Sequence, residues 1–356
     1  MVPEAASSAA AKNTSCGLVV DRHVPKTAGT TVRTMLRANA ARGACEYVGY
    51  DVSHTWQSRV GFTHRALAEV ANELVAAGTE AETQALPRRR HVCMEAHMVG
   101  GKFWSELASL RAAPAFMRAC NLVVLIRVRE PLSWYRSYFD WAVLSRQKTG
   151  DAVQWGSNFT DWLPHNMQCR FLLHGTRGQA SEWAPDVARR RSGPRVGPAR
   201  WSELERIVRA ADVVAPLDQL PQALRLVLRR AGFLQTAAYT SHKPDVMHGP
   251  WERLPRIHPV LPAKRFCSRP GVDCAAAVKA AAPADHRLYA LAQELFEQNW
   301  RRAAAEDGEW ASAALASIAA ERAAAAAAVP SPPTSRSRGK RRGRGRRLGL
   351  RMPSTR

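Results

Sequence analysis

The chain has 356 residues and a formal net charge of +22, which allows one large folded core and favours anionic partners. Its seven cysteines include no Cys-x-x-Cys pair, and this spacing argues against a metal or redox centre. No apolar run is long enough to predict a signal peptide or a membrane-spanning helix.

Apolar runs alternate with helical patterns along the chain. This alternation predicts an α/β fold with helices flanking a mostly parallel central sheet. The predicted strands are Leu18–Val24, Glu46–Tyr50, His91–Ala96, Leu122–Arg127 and Val213–Ala215. The predicted helices are Thr31–Ala41, His64–Ala77, Leu132–Arg146, Thr160–Leu173, Ser202–Ala210, Leu217–Ala231 and Asp285–Ala304.

The composition changes at both ends of the chain. We predict a disordered N-terminus at 1–16, one folded domain at 17–304 and an Ala-rich helix or linker at 305–330. The remainder, 331–356, contains ten Lys or Arg residues and no acid, which predicts a disordered basic tail. Such a tail would contact anionic polymers without sequence specificity.

The segment after the first predicted strand has the composition of an anion-binding loop. It consists of Pro25, Lys26, Thr27, Ala28, Gly29, Thr30 and Thr31. A helical pattern follows at Val32, so backbone N–H groups and the positive end of a helix dipole would point at the loop. Lys26 precedes Gly29, and neither Gly-Lys pair of the chain is followed by Ser or Thr, so this is not a Walker A loop. The alternative is an ordinary strand–turn–helix with a surface lysine.

A second candidate anion site follows the apolar run Asn121–Ile126, which is typical of a strand buried on both faces of a parallel sheet. Arg129, Glu130 and Pro131 come next, and Pro131 is suited to the first position of a helix. An arginine fork can grip a phosphate with two hydrogen bonds, and Ser137 in the following helix could reach the same group. Arg127 is the alternative ligand, because strand alternation lets only one of the two arginines point into the site.

The two segments resemble the donor-binding elements of the PAPS-dependent carbohydrate sulfotransferases, which include the heparan sulfate 2-O- and 6-O-sulfotransferases. Pro-Lys-Thr-x-Gly-Thr-Thr resembles their 5′-phosphosulfate loop, and Arg129-Glu130-Pro131 with Ser137 resembles their 3′-phosphate element. Val128 and Trp134 depart from the family pattern, and a different substrate rim would explain both. Further likenesses lie in 166–175, 211–217 and 284–296, so the resemblance spans about Gly17 to Trp300.

The resemblance implies that 17–304 is a catalytic domain with the P-loop-like, three-layer α/β fold of the sulfotransferases. It also implies that this domain uses PAPS (3′-phosphoadenylyl sulfate) as donor, releases PAP, the desulfonated donor, and needs no metal. It implies that Lys26 stabilises the oxygen bridging to the leaving phosphate, while the rest of its loop holds the 5′-phosphate. Arg129 and Ser137 would hold the 3′-phosphate. Gln168 and Arg170 would contact donor or acceptor. The acceptor would be an anionic or neutral glycan, and a tyrosine or small-alcohol acceptor remains an alternative.

A general base is needed for the acceptor hydroxyl. His97 is the first candidate, since it ends a predicted central strand where sites gather in open α/β sheets. Glu95 is the alternative and would share a strand face with His97. His23, beside the first loop, is more typical of a packing residue.

Two other functional classes fit part of the sequence. A P-loop-like nucleotide kinase or other phosphotransferase would use the first loop but lacks Gly-Lys-Ser/Thr and a clear acidic magnesium site. A non-catalytic anionic-polymer-binding protein would use the positive charge alone. The resemblance implies a glycoprotein of the Golgi lumen or membrane, with which two glycosylation sequons and a disulfide loop between Cys267 and Cys274 are compatible. A soluble protein is the alternative, because the sequence shows no anchor or signal. The sequence leaves the oligomeric state open.

Overall fold

The computed structural model describes residues 16–49, 90–97, 101–141, 158–174, 196–232 and 261–327. Its centre is a five-stranded sheet in which every strand pairing is parallel, in the order β2-β3-β1-β4-β5. The strands are β1 (Cys16–His23), β2 (Glu46–Val48), β3 (Arg90–His97), β4 (Cys120–Val128) and β5 (Val213–Pro216). The predicted mixed α/β class with a parallel sheet is therefore confirmed.

Helices follow or separate the strands throughout the described residues. The first six are α1 (Gly29–Ala41), α2 (Gly101–Ala112), α3 (Pro114–Ala119), α4 (Pro131–Phe139), α5 (Phe159–Trp162) and α6 (Met167–His174). The later ones are α7 (Pro198–Arg209), α8 (Leu220–Arg230), α9 (Ala263–Cys267), α10 (Cys274–Ala281), α11 (Pro283–Glu306) and α12 (Gly308–Ala327). The predicted helix His64–Ala77, the N-terminus and the basic tail lie outside the described residues.

The sheet is covered on both faces, which makes three layers. One face, with Val19 and Val123, packs against α1, α8 and α11 in a single apolar cluster. The other face, with Val20 and Val124, packs against α2 and α3. Burial on both faces explains why β4 has an almost uninterrupted apolar sequence.

The order of the strands creates a switch point between β1 and β4. From β1 the chain passes to β2 at one edge of the sheet, whereas from β4 it passes to β5 at the opposite edge. Ligands of open parallel sheets bind at such a point, outside the carboxyl ends of the strands. The two candidate anion loops follow these two strands.

Several element boundaries differ from the predictions. The predicted helix Thr160–Leu173 is two helices, α5 and α6, because Pro164 interrupts the pattern. The helix predicted from Leu217 starts with a 3-10 turn before α8. Four helices were not predicted, namely α2, α3, α9 and α10. Of these, α9 has five residues and α10 is Ala-rich, so neither shows a clear helical apolar period.

The ordered structure continues beyond residue 304. Helix α11 runs to Glu306, and α12 then packs against α8. Ion pairs join Arg225 to Glu321 at 2.6 Å and Arg229 to Asp307 at 2.9 Å. The Ala-rich segment is thus a helix attached to the core as far as Ala327. None of the described helices has the length and apolarity needed to cross a membrane.

Three cysteine pairs are placed as disulfides. Their Cα–Cα distances are 4.5 Å for Cys16–Cys120, 6.0 Å for Cys45–Cys93 and 5.6 Å for Cys267–Cys274. The last is the pair that the sequence predicts. The first two were not predicted, because they depend on which strands are neighbours: Cys16 lies opposite Cys120 in the β1–β4 register.

Candidate functional site

The first candidate loop, Val24–Thr31, has an unusual backbone. Lys26 and Ala28 both adopt left-handed conformations, with φ of 65° and 63°. This region costs a non-glycine residue on the order of 1 kcal/mol or more, so the surrounding contacts must hold it. One such contact is internal, since the buried Thr27 hydroxyl donates to the Val24 carbonyl at 2.6 Å. This hydrogen bond closes the loop and uses the hydroxyl hydrogen of Thr27. The backbone N–H is therefore the donor of Thr27 for the predicted contact with a phosphate.

The loop runs directly into the N-terminus of α1. Gly29, Thr30 and Thr31 form its first turn, and the first helical hydrogen bond runs from Val32 N to Ala28 O at 3.1 Å. The N–H groups of a first turn have no partner within their own helix and carry the positive end of its dipole. The predicted anion-binding segment is therefore a strand–loop–helix N-terminus in the structure.

Three successive carbonyls of this loop accept hydrogen bonds from side chains of the β4–α4 segment. The contacts are Trp134 Nε1 to Pro25 O at 2.7 Å, Arg129 Nη1 to Lys26 O at 3.3 Å, and Arg127 Nη1 to Thr27 O. In a trans peptide the N–H points opposite to the carbonyl that precedes it. The N–H groups of residues 26, 27 and 28 therefore point away from the side chains that hold the carbonyls.

The structure distinguishes the two arginines that follow each other on β4. Arg127 is fully buried, and two of its nitrogens donate to the Asp21 carboxylate at 2.9 and 2.6 Å. Arg129 is only half-buried and lies past the end of the strand. Arg127 is thus a structural ion-pair residue, and Arg129 is the candidate anion ligand.

The Arg129 guanidinium lies over the first turns of α4. Its Nε donates to Ser133 Oγ at 2.8 Å, and burial holds its pKa below the usual value for arginine, with Glu130 opposing the shift. Ser137 lies one turn beyond Ser133 on the same helix face. Ser133 was missed in the sequence, although its spacing of four from both Arg129 and Ser137 was a usable signal.

Glu130, the acidic residue that follows Arg129, caps the next helix. Its carboxylate accepts from Leu132 N at 2.9 Å and Ser133 N at 2.6 Å, which caps α4 at the residue before Pro131. A side-chain carboxylate and a proline together fix where α4 begins. The direction of the Arg129 side chain relative to Ser133 depends on that start.

The two departures from the family pattern do not form a substrate rim, and that interpretation is wrong. Val128 and Trp134 are both fully buried. The Trp134 ring stacks on Tyr138 with centroids 4.8 Å apart, while its N–H reaches the Pro25 carbonyl. Trp134 thus belongs to the core that supports the first loop.

Lys26 lies near the far end of α4. Its Nζ is 5.4 Å from the centroid of the Trp141 ring, which is 40% exposed. Burial and the nearby Arg129 hold the pKa of Lys26 below its usual 10.5, and Asp140 opposes this. Ser133 and Ser137 share one face of α4, and Trp141 lies just beyond its end at Phe139, so this stretch leads from Arg129 to Lys26.

The candidate bases occupy the carboxyl end of β3. His97 is its last residue and pairs in register with His23, which in turn lies opposite Arg127. Glu95 is buried with both oxygens engaged: Arg33 donates to them at 2.9 and 3.0 Å, and Tyr47 at 2.8 Å. Burial, then the neighbouring Glu95, holds the pKa of Tyr47 above its usual 10.0. Glu95 therefore joins β3 to α1 and β2, and its role as a base stays a prediction.

Gln168 and Arg170 lie on α6 and are both buried. The Gln168 side chain contacts the backbone of Arg129 at two atoms, so it belongs to the β4 end of the site. Arg170 lies near His174, whose pKa is held low by burial and neighbouring cations. The structure thus brings Gln168, but not Arg170, into contact with Arg129 among the described residues.

Asn166 and Asp285 cap each other's helices. Asn166 Oδ1 accepts from Ala284 N at 2.8 Å in the first turn of α11, and Asp285 accepts from Cys169 N at 2.9 Å in the first turn of α6. Their two segments are the weaker likenesses noted in the sequence, 166–175 and 284–296. Within the described residues, no cluster of His, Cys, Asp or Glu is arranged to hold a metal ion.

Comparison with protein-family models, curated proteins and solved structures found no match to this chain. The fold and the geometry of the two loops therefore carry the functional argument.

Proposed function

We propose that this chain is a sulfotransferase that moves a sulfonate from PAPS to a hydroxyl of a glycan acceptor by in-line displacement. The observation that carries the proposal is the contact between the two loops, in which Arg129 Nη1 lies 3.3 Å from Lys26 O. It joins an arginine fork and a lysine-bearing loop at the switch point of a parallel sheet. A donor with a phosphate at one end and a phosphosulfate at the other needs cations at two such places.

The electrostatics of the site favour an anionic ligand. Lys26 and Arg129 are partly buried, and the pKa of each is held low by burial. Arg129 also lowers the pKa of Lys26, because two like charges lie close together. Such an arrangement costs stability and is typical of functional sites. An anion between the two cations would remove the cost.

The bound donor would supply a sulfonate whose transfer leaves negative charge on the oxygen that joins it to the 5′-phosphate. The Lys26 ammonium and the N–H groups at the start of α1 would stabilise that charge. Arg129, with Ser133 and Ser137 on the same helix face, would hold the 3′-phosphate. The acceptor proton would go to His97, with Glu95 as the alternative.

A lumenal, oxidising location belongs to the same proposal, with the Golgi as the expected compartment. It is supported by the three cysteine pairs, since disulfides persist in secretory compartments and are rare in the cytosol.

The test is calorimetric binding of PAP, the desulfonated donor, to the purified chain without Mg²⁺. Loss of a charged hydrogen bond costs about 1.5–3 kcal/mol, so we expect Arg129→Ala to weaken affinity about 10- to 100-fold. Lys26→Ala should weaken it as well. Arg200→Ala is the matched control, because it removes the same charge from an exposed pair on α7 and should leave affinity within about twofold.

Each alternative function has its own outcome. No PAP binding by folded wild-type chain would overturn the sulfotransferase proposal. Binding of ATP that depends on Mg²⁺ would then favour a phosphotransferase, whereas retention on heparin alone would favour an anionic-polymer-binding protein. If PAP binds, transfer from radiolabelled PAPS to a panel of glycans identifies the acceptor.

A further inference from the structure

We infer that Gln168 is a positioning residue, which fixes the backbone of Arg129 and through it the guanidinium. The Arg129 N–H donates to Gln168 Oε1 at 3.0 Å, and Gln168 Nε2 donates to the Arg129 carbonyl at 2.8 Å. The partners settle the orientation of the amide, because a backbone N–H only donates and a carbonyl only accepts. The inference rests on the proposed function in one respect only, which is the identity of the ligand.

The side-chain amide replaces a neighbouring strand at this position. The β1 register with β4 ends at Arg127, and the β5 register ends at Val128. Arg129 is the next residue, beyond both ladders. Gln168 supplies one donor and one acceptor to it, as an adjacent strand would. The backbone N–H and carbonyl of Arg129 are therefore both paired with one side chain.

Burial makes this contact effective. Gln168 is fully buried, so water cannot substitute for the lost partners if the amide is removed. An unsatisfied buried donor or acceptor is costly, which favours a displaced Arg129 backbone over an unpaired one. Displacement would separate the guanidinium from Ser133 and from the Lys26 carbonyl.

A buried carboxylate determines where Gln168 lies. Asp285 accepts from Gln168 N at 3.2 Å and from Cys169 N at 2.9 Å, at the start of α6. The Tyr135 hydroxyl donates to the same carboxylate at 3.1 Å and accepts from Met167 N at 2.9 Å. Contacts thus connect α11 to Arg129 through the first turn of α6. In this arrangement Gln168 acts on a ligand only through Arg129.

The decisive experiment is a double-mutant cycle on PAP binding, measured by calorimetry. Positioning predicts that Gln168→Ala weakens PAP binding about tenfold in the wild-type background and less than twofold in an Arg129→Ala background. Equal weakening in both backgrounds would mean that Gln168 binds the ligand directly, and it would overturn the inference. Unchanged affinity in the wild-type background would overturn it too. Gln298→Ala, an exposed glutamine on α11, is the matched control.

A second readout needs no ligand. Amide hydrogen exchange should be faster at Arg129 in Gln168→Ala than in wild type, while the amides of 123–126 inside β4 keep their protection. Unchanged exchange at Arg129 would overturn the inference whether or not PAP binds. Accelerated exchange in a chain that does not bind PAP would uphold the positioning role and reject the proposed function.

Gln168→Leu guards against a variant that fails to fold. It keeps most of the side-chain volume and buries no charge, but it has neither an acceptor for the Arg129 N–H nor a donor for the Arg129 carbonyl. We expect a loss of PAP affinity similar to that of Gln168→Ala and faster exchange at Arg129. Wild-type values for both measurements would contradict the inference.

Discussion

The indole N–H of Trp134 donates to the carbonyl of Pro25 at 2.7 Å, inside the core. Pro25 lies in the first candidate loop, and Trp134 lies in the helix that follows the second. The two loops are therefore connected through buried groups as well as through Arg129. A change at Trp134 reaches the Lys26 loop without touching any ligand.

Trp134→Phe tests this connection. Phenylalanine keeps an aromatic ring against Tyr138 but leaves the Pro25 carbonyl without its donor. We expect the free energy of unfolding in urea to fall by about 1–3 kcal/mol and PAP affinity to fall severalfold. Trp201→Phe is the matched control, because it removes an indole hydrogen bond to Glu205 on α7. Equal PAP affinities in the two variants would contradict the connection.

Lys26→Met separates stability from function. The folded pKa of Lys26 lies below the unfolded 10.5, so the unfolded chain binds more protons between these two values. Stability therefore rises with pH in that window, and below it the charged lysine costs free energy. We expect Lys26→Met to raise the unfolding free energy at pH 7 by about 1 kcal/mol and to abolish transfer.

The pH profile of the wild type follows from the same shift. In the proposed function only the charged ammonium of Lys26 binds the 5′-phosphate end of the ligand, so PAP affinity should fall with rising pH earlier than for an ordinary lysine. Calorimetry of PAP binding across alkaline pH measures this fall in affinity. Thermal unfolding of the wild type and of Lys26→Met measures their relative stability. A less stable Lys26→Met chain would show that the contacts of Lys26 with Trp141 and Asp140 outweigh the cost of its burial.

The choice of general base is decided by comparing His97→Ala with Glu95→Gln. If His97 is the base, its removal should lower kcat about 10²- to 10⁴-fold with PAP affinity unchanged. Glu95→Gln should mainly lower stability, because it weakens the pairing with Arg33 and Tyr47. Tyr47→Phe is its control, since it removes one donor to the same carboxylate. A loss of kcat confined to Glu95→Gln would make Glu95 the base.

The disulfides should differ in what they contribute to stability. The chain-entropy relation gives about 5 kcal/mol for the loop closed by Cys16–Cys120 and about 2.5 kcal/mol for Cys267–Cys274. We expect Cys16→Ala/Cys120→Ala to be less stable in urea than Cys267→Ala/Cys274→Ala. Mass spectrometry of unreduced peptides checks the pairing first. Free thiols at all three pairs in secreted material would contradict it.

The sequence predicts the parts of the site that depend on local pattern. The apolar runs of β1 and β4, the loop after β1 and the proline at the start of α4 need no knowledge of the fold. The choice between Arg127 and Arg129 does need it, because it depends on Asp21 in another strand. Likewise, no local pattern around Gln168 predicts its contact with the backbone of Arg129, which lies 39 residues earlier. Side chains that support the loops were therefore mistaken for side chains that face a ligand, as with Trp134.

The reciprocal caps of Asn166 and Asp285 have a consequence for synthesis. Ala284 and Asp285 are 118 and 119 residues beyond Asn166, so α6 receives its cap from Asp285 only after the start of α11 has emerged from the ribosome. Contacts this distant in sequence form late, since loop closure must precede them. A nascent chain ending before α11 would have the sheet and both anion loops, but no fixed support for Arg129. The support of Arg129 is therefore completed only after α11 has been synthesised.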